Sequence, residues 1–148
     1  MSVADKLQVL VVDDTSVSRM LICDGLDQLG IKNVSIAKDG KAALDAMMSK
    51  PRHLVISDYH MPNMDGLELL KSLRGFKPTS KCGFILITGQ ADAHTIAQGK
   101  VLGMNNVLKK PFTVDGLKSC IQSIVGPLWR ERPGCLRLRR RRDRRRER

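Results

Sequence analysis

LQVLVVDD, residues 7–14, is a run of Leu and β-branched side chains, broken only by Gln8, that stops at two carboxylates. A run without polar alternation suits a parallel strand covered on both faces. This predicts a strand over 7–12 with Asp13 and Asp14 at its C-terminal end. The same pattern recurs three times: HLVIS runs into Asp58, GFILI into Thr88, and NNVLK into Lys110-Pro111. Strands are therefore expected over 54–56, 84–87 and 106–109, and NVSIA at 33–37 supplies the one the alternation still lacks.

Between the strands lie helical stretches over 16–29, 41–48, 67–73, 91–102 and 114–125. They end at or near Gly30, Pro51, Gly75, Gly103 and Gly126-Pro127. Glycine just past a helix supplies the left-handed C-cap, and Thr113 is placed to cap the last helix. In that helix Val114, Leu117, Ile121, Ile124 and Val125 share one face. The alternation reads as an α/β fold of (βα)5 type, a doubly wound parallel sheet with right-handed crossovers and helices on both faces.

At 148 residues the chain has room for one ordinary domain, expected over 1–128. Its formal charge of +11 is unevenly placed. Eleven Arg against Glu131, Asp143 and Glu147 give residues 130–148 a net +8, leaving +3 for residues 1–129. The segment 129–148 has almost no apolar content and is expected to be disordered. It could meet nucleic acid or an anionic membrane through its arginines, or it could be a non-native extension. Trp129 suits a cap on the last helix better than a base-stacking role.

Cys23, Cys82, Cys120 and Cys135 show no Cys-x-x-Cys pair and no nearby His at zinc spacing, so reduced, core-filling thiols are expected. No secretory signal and no membrane-length apolar run is visible, which points to a cytoplasmic protein without membrane insertion.

In open α/β sheets ligands bind outside the C-terminal ends of the strands, where the four interrupted runs place their polar residues. Asp13, Asp14 and Asp58 together would repel one another unless a cation is bound. Mg²⁺ suits them, since it takes one or two carboxylates and accepts further oxygens from water and phosphate. Asp14 and Asp58 are assigned as direct ligands, Asp13 as acting largely through bound water, and the backbone carbonyl of His60 as completing the set. Asp58 is also the nucleophile candidate for an acyl phosphate, with Lys110 as a point charge toward phosphate oxygens. Thr88 would hydrogen-bond a phosphoryl oxygen and Gly89 would leave room for it. Contacts formed only after phosphorylation make Thr88 and Lys110 the lever of a switch. Each residue alone has an ordinary reading as loop acid, strand-end Thr or solvated Lys; their order at successive strand ends is what argues for a site.

VLVVDDTSVSR, VISDYHMPNMDGLELLKSLR, ILITG and LKKPFT resemble the signature segments of response-regulator receiver domains, in particular single-domain chemotaxis regulators of the CheY type. The resemblance spans about residues 7–125. It implies the strand order 2-1-3-4-5, phosphoryl transfer from a phosphohistidine on a sensor histidine kinase to Asp58 with Mg²⁺ present, and a later hydrolysis that resets the signal. It also implies a cis Lys110-Pro111 bond and a site-shaping loop over 61–66. The output surface would be residues 91–125, meeting a downstream target, with a flagellar motor switch as the nearest match. Two departures stand out. Val107 occupies a position where many such receivers carry a rotating aromatic, so transmission must rest on Thr88, the loop after it and repacking of the last elements. His60, with Gln90, sits where the water that attacks the acyl phosphate is influenced. His53 and His94 read as surface or strand-edge residues.

Two rival functions use the same pattern. A phosphate sink or adaptor in another pathway needs no different residue. From another class, an aspartyl-phosphate phosphatase or phosphotransferase would turn over external substrates, but such enzymes commonly place a second acid where this chain has His60. A flavodoxin-like cofactor site fits less well, because the first strand ends in carboxylates.

Overall fold

Five strands, β1 (Gln8–Val12), β2 (Asn33–Ala37), β3 (Leu54–Asp58), β4 (Gly83–Thr88) and β5 (Asn106–Lys109), pair in parallel in the order β2-β1-β3-β4-β5. The computed structural model describes residues 3–89 and 92–126. The readings made of Gln90, Trp129, Cys135 and the Arg-rich segment lie outside the described residues. Among the described residues six α-helices accompany the strands: α1 (Val3–Lys6), α2 (Ser16–Gln28), α3 (Gly40–Ser49), α4 (Gly66–Gly75), α5 (Ala93–Val101) and α6 (Val114–Val125).

The unbroken apolar runs are explained by two cores, one on each side of the sheet. Val9, Val11, Ile56, Ile85 and Ile87 face Ile22 and Leu26 of α2 and Leu117 and Ile121 of α6. Their strand neighbours Leu10, Val12, Val55, Phe84 and Leu86 face Ala43 and Met47 of α3 and Leu69, Leu70 and Leu73 of α4. With period-two side chains, only a strand apolar at every position can fill both layers. β3 and β4 are buried along their whole length, whereas the edge strands β2 and β5 are partly exposed.

Several boundaries show their physical cause. Gly30, Gly103 and Gly126 take left-handed φ of 81°, 94° and 83° after their helices, as expected of C-cap glycines. Gly75 does not: α4 runs through it, Phe76 caps in an extended conformation, and a 3₁₀ turn over Lys77–Thr79 follows. α5 starts at Ala93, two residues later than the sequence suggests, because the Asp92 side chain accepts from Thr95 N at 2.7 Å and caps it there. Thr113 caps α6 by accepting from Gly116 N. The helix α1 was not expected; its buried Ala4, beside Leu7, joins the α2/α6 core.

Cys23, Cys82 and Cys120 are free. Cys120 is a core residue, while Cys23 and Cys82 pack at the core margins. Burial pushes all three thiols up from their ordinary value. Among the described residues no helix is long and apolar enough to cross a membrane.

Candidate functional site

Parallel pairing in register brings the interrupted ends together. Val12 lies opposite Ser57, Asp58 opposite Ile87 and Thr88 opposite Lys109. The residues just beyond or at these positions, Asp13, Asp58, Thr88 and Lys110, therefore share one edge. Asp13, Asp14 and Asp58 each offer a carboxylate oxygen, all within 4.8 Å of one another.

The three acids differ in environment. Asp13 is fully buried: its Oδ1 accepts from Thr15 N at 2.9 Å, and Oδ2 has no hydrogen-bond partner. Arg19 ties this turn down by donating from Nη1 to Asp13 O at 2.7 Å. Asp14 is exposed. Asp58, the last residue of β3 and 8 % exposed, accepts at Oδ1 from Tyr59 N at 3.0 Å. Its carbonyl oxygen accepts from Ser57 Oγ at 2.8 Å.

Lys110 supplies the cation. Its Nζ lies 3.2 Å from Asp58 Oδ1 and 3.7 Å from Asp13 Oδ2, and donates to Ser18 Oγ at 3.3 Å. The Lys110 N–H donates to Thr88 O at 2.9 Å, and the Lys110-Pro111 peptide that follows is cis. Burial raises the Asp58 carboxyl above its ordinary range; Lys110 pulls it part of the way back and Asp13 pushes it up again. One ammonium thus faces two of the three carboxylates, those of Asp58 and Asp13.

The loop after Asp58 is shaped for its position. Asn63 takes a left-handed φ of 69°, and Asp65 caps α4 in a reciprocal box with Glu68. A Cβ on Gly66 would lie 2.7 Å from Asp58 O and 2.6 Å from Leu86 Cδ1, so only glycine lets α4 approach the end of β3. His60 is exposed, its ring tilted against Tyr59 with centroids 4.7 Å apart. Thr88 is fully buried at the end of β4, and Gly89 opens onto space where a Cβ would meet nothing within 4 Å. Val107 is half-buried against the α3/α4 core.

Sequence reading did not single out Thr15, Ser18 or Ser57. Ser18 had a signal in hindsight: a helix opening at Ser16 carries residue 18 in its first turn, beside the carboxylates that precede it. His53 is a strand-edge residue as expected, its Nδ1 accepting from Gln8 N at 3.0 Å at the far end of the sheet.

The donor set fits a hard divalent ion. Three hard oxygen donors converge, and a buried carboxylate oxygen without a hydrogen bond is costly unless something electropositive approaches it.

Comparison with known proteins points the same way. Residues 9–122 match the family model described as the response regulator receiver domain. A protein described as a probable chemotaxis protein CheY, from Rhizobium etli, is 44 % identical over 128 residues, which is 86 % of this chain and 99 % of that one. The crystal structure of chemotaxis protein CheY4 from Vibrio cholerae, determined at low pH, superposes with a TM-score of 0.75 at 29 % identity, covering 80 % of this chain and 98 % of that one. The receiver domain of a sensor histidine kinase from Pseudomonas aeruginosa, solved with a magnesium ion in its active-site cleft, superposes with a TM-score of 0.74 at 25 % identity, covering 82 % and 98 %.

Proposed function

This chain belongs to the response regulator receiver domain family, and from that premise we propose that Asp58 is the phosphoryl acceptor of a two-component switch. The observation that carries the assignment is the Lys110 ammonium 3.2 Å from Asp58 Oδ1 and 3.7 Å from Oδ2 of buried Asp13, an oxygen without a hydrogen bond. Oδ1 is held by the Tyr59 amide and Lys110, so Oδ2 of Asp58 is the attacking oxygen. An Oδ2–P bond forms as the P–N bond of a phosphohistidine on a sensor kinase breaks, and the electron pair remains on the imidazole nitrogen.

Asp14, Asp58 and the His60 carbonyl would hold Mg²⁺, with buried Asp13 accepting from a water of the ion. Bound there, the ion offsets carboxylate charge so that an anionic phosphoryl group can approach. Lys110 then faces the phosphoryl oxygens as a point charge and Thr88 donates its hydroxyl to one of them. Because Lys110 leaves its contact with Asp58 Oδ1 to do so, the chain segment it anchors is the one whose position reports phosphorylation.

The output surface is α5, β5 and α6, and the target is a protein of a chemotaxis pathway in the cytoplasm, such as a flagellar motor switch. Val107 leaves no aromatic to rotate, so the signal passes through the Thr88 turn and the repacking of those elements. Incubation with acetyl phosphate and Mg²⁺ tests the acceptor. Mass spectrometry should find one phosphoryl adduct, on the peptide containing Asp58, and none in Asp58→Asn; full labelling of that variant overturns the assignment.

A further inference from the structure

Ser18 plays no part in the phosphoryl transfer itself, yet its side chain meets the Lys110 ammonium. Lys110 Nζ donates to Ser18 Oγ at 3.3 Å, lies 3.2 Å from Asp58 Oδ1 and stands 3.7 Å from Asp13 Oδ2. An ammonium carries three N–H donors, and a charge-assisted bond to a carboxylate closes to about 2.7–2.9 Å. Against that length the Asp13 contact falls about 1 Å short. Asp13 Oδ2 thus keeps no hydrogen bond although a cation is its neighbour.

The Ser18 hydroxyl is a fixed point beside the buried acid. Ser18 is half-buried in the first turn of α2, where Arg19 N donates to Thr15 O at 3.0 Å. The turn before the helix is held twice: Arg19 Nη1 donates to Asp13 O at 2.7 Å, and Thr15 N to Asp13 Oδ1 at 2.9 Å. Five residues therefore separate Ser18 from Asp13 along a braced backbone, and the hydroxyl stays where the turn puts it. Among the described residues its one hydrogen bond is to Lys110, so it is not spent on capping the helix. Lys110 comes from the loop after β5 on a flexible four-carbon stem. With Ser18, Leu21, Gly25 and Phe112 it lines a cavity of about 500 Å³, which leaves that stem room to move.

We propose that Ser18 is a positioning residue for metal loading, a role that rests on reading the acidic end as a Mg²⁺ site. By holding the Lys110 ammonium, its hydroxyl keeps Asp13 Oδ2 open for a water of the incoming ion. Without the hydroxyl the ammonium has one N–H to place elsewhere, and Asp13 Oδ2 is a bare acceptor 3.7 Å away. Asp24 lines the same cavity but is exposed, so water and salt screen its pull, whereas Asp13 is fully buried. Lys110 then closes on Asp13, and the ion must displace it to bind.

Calorimetric titration of the full chain with Mg²⁺, run as a double-mutant cycle, tests this. Ser18→Ala keeps the helix, since alanine is the best helix former, and is expected to weaken Mg²⁺ binding about fivefold, the effect of one hydrogen bond. In the Lys110→Ala background the same substitution should change affinity by less than about twofold, because the group it acts through is gone. The Mg²⁺ concentration for half-maximal labelling by acetyl phosphate should rise by the same factor as the affinity falls. A Ser18→Ala chain that binds Mg²⁺ as the parent does, or more tightly, overturns this role while leaving the metal site standing. So does an equal loss in both backgrounds, which is what a merely structural contribution gives. A parent chain that binds no Mg²⁺ overturns the metal site and this role together.

Discussion

At the N-terminal ends of the strands the backbone is closed off, while at their C-terminal ends it is left under electrostatic tension. Near the entrances to β1 and β4, His53 Nδ1 accepts from Gln8 N, Asn105 Oδ1 from Phe84 N, and Arg74 donates to Gly103 O at 2.8 Å. Thr79, fully buried, donates its hydroxyl to Leu73 O at 2.6 Å. At the other end Asp13 Oδ2 is buried without a hydrogen bond, and Asp58 is raised by burial beside a second acid. The two ends of one sheet therefore do different work. One satisfies its backbone polar groups within the chain and stabilises the fold; the other leaves a buried carboxylate oxygen without a hydrogen bond among three converging acids.

Substitutions should separate the two ends. Gly66→Ala is expected to be the most damaging, because its methyl meets the Asp58 carbonyl itself at 2.7 Å. A loss of roughly 1–3 kcal/mol in urea unfolding is expected, together with slower labelling by acetyl phosphate, since the clash moves the acceptor. Asn105→Ala acts at the closed end. It leaves Phe84 N without its side-chain acceptor and should cost roughly 1–2 kcal/mol, with labelling unchanged. Equal damage to labelling by both variants would erase the distinction between the ends.

The pH dependence follows from Asp58. Its folded-state carboxyl holds a proton at pH values where the unfolded chain has lost it, so the folded state binds more protons in that window. Stability of the metal-free chain then falls as pH rises through the folded value, and is highest on the acid side of that window. Asp58→Asn should remove this slope and melt higher than the parent chain at neutral pH in EDTA, with added Mg²⁺ narrowing the gap. A parent chain and variant with parallel Tm against pH curves would contradict it. Thr113→Ala, remote from the acids, should cost about 1 kcal/mol with no pH slope of its own; circular dichroism melts measure both.

The sheet was legible because its three central strands carry unbroken apolar runs, Val9–Val12, Leu54–Ile56 and Phe84–Ile87, a pattern only a strand buried on both faces requires. Even the partly exposed β2 and β5 fell where the alternation demanded them. α1 was not legible: four residues are too few for a periodic stripe, and what holds it is Ala4 against the core. Gly75 misled for the opposite reason. Glycine near a helix end resembles a cap, but here the Phe76 extension and the Lys77–Thr79 turn stop α4. At the site, Asp13, Asp14, Asp58, Thr88 and Lys110 were visible because each interrupts or follows a strand. The Lys110 to Ser18 bond joins residues 92 apart and becomes apparent only when the register is known. Nor did spacing reveal that Asp13 is the buried acid and Asp14 the exposed one, since that depends on the turn Arg19 holds.

Calorimetric titration with Mg²⁺ tests most directly whether the acidic end is a built cation site. One saturable site is expected in the parent chain, with affinity reduced in Asp13→Asn, nearly lost in Asp58→Asn, and increased in Lys110→Ala, where the competing ammonium is gone. Absence of binding in the parent chain, or an affinity indifferent to all three substitutions, would contradict the account.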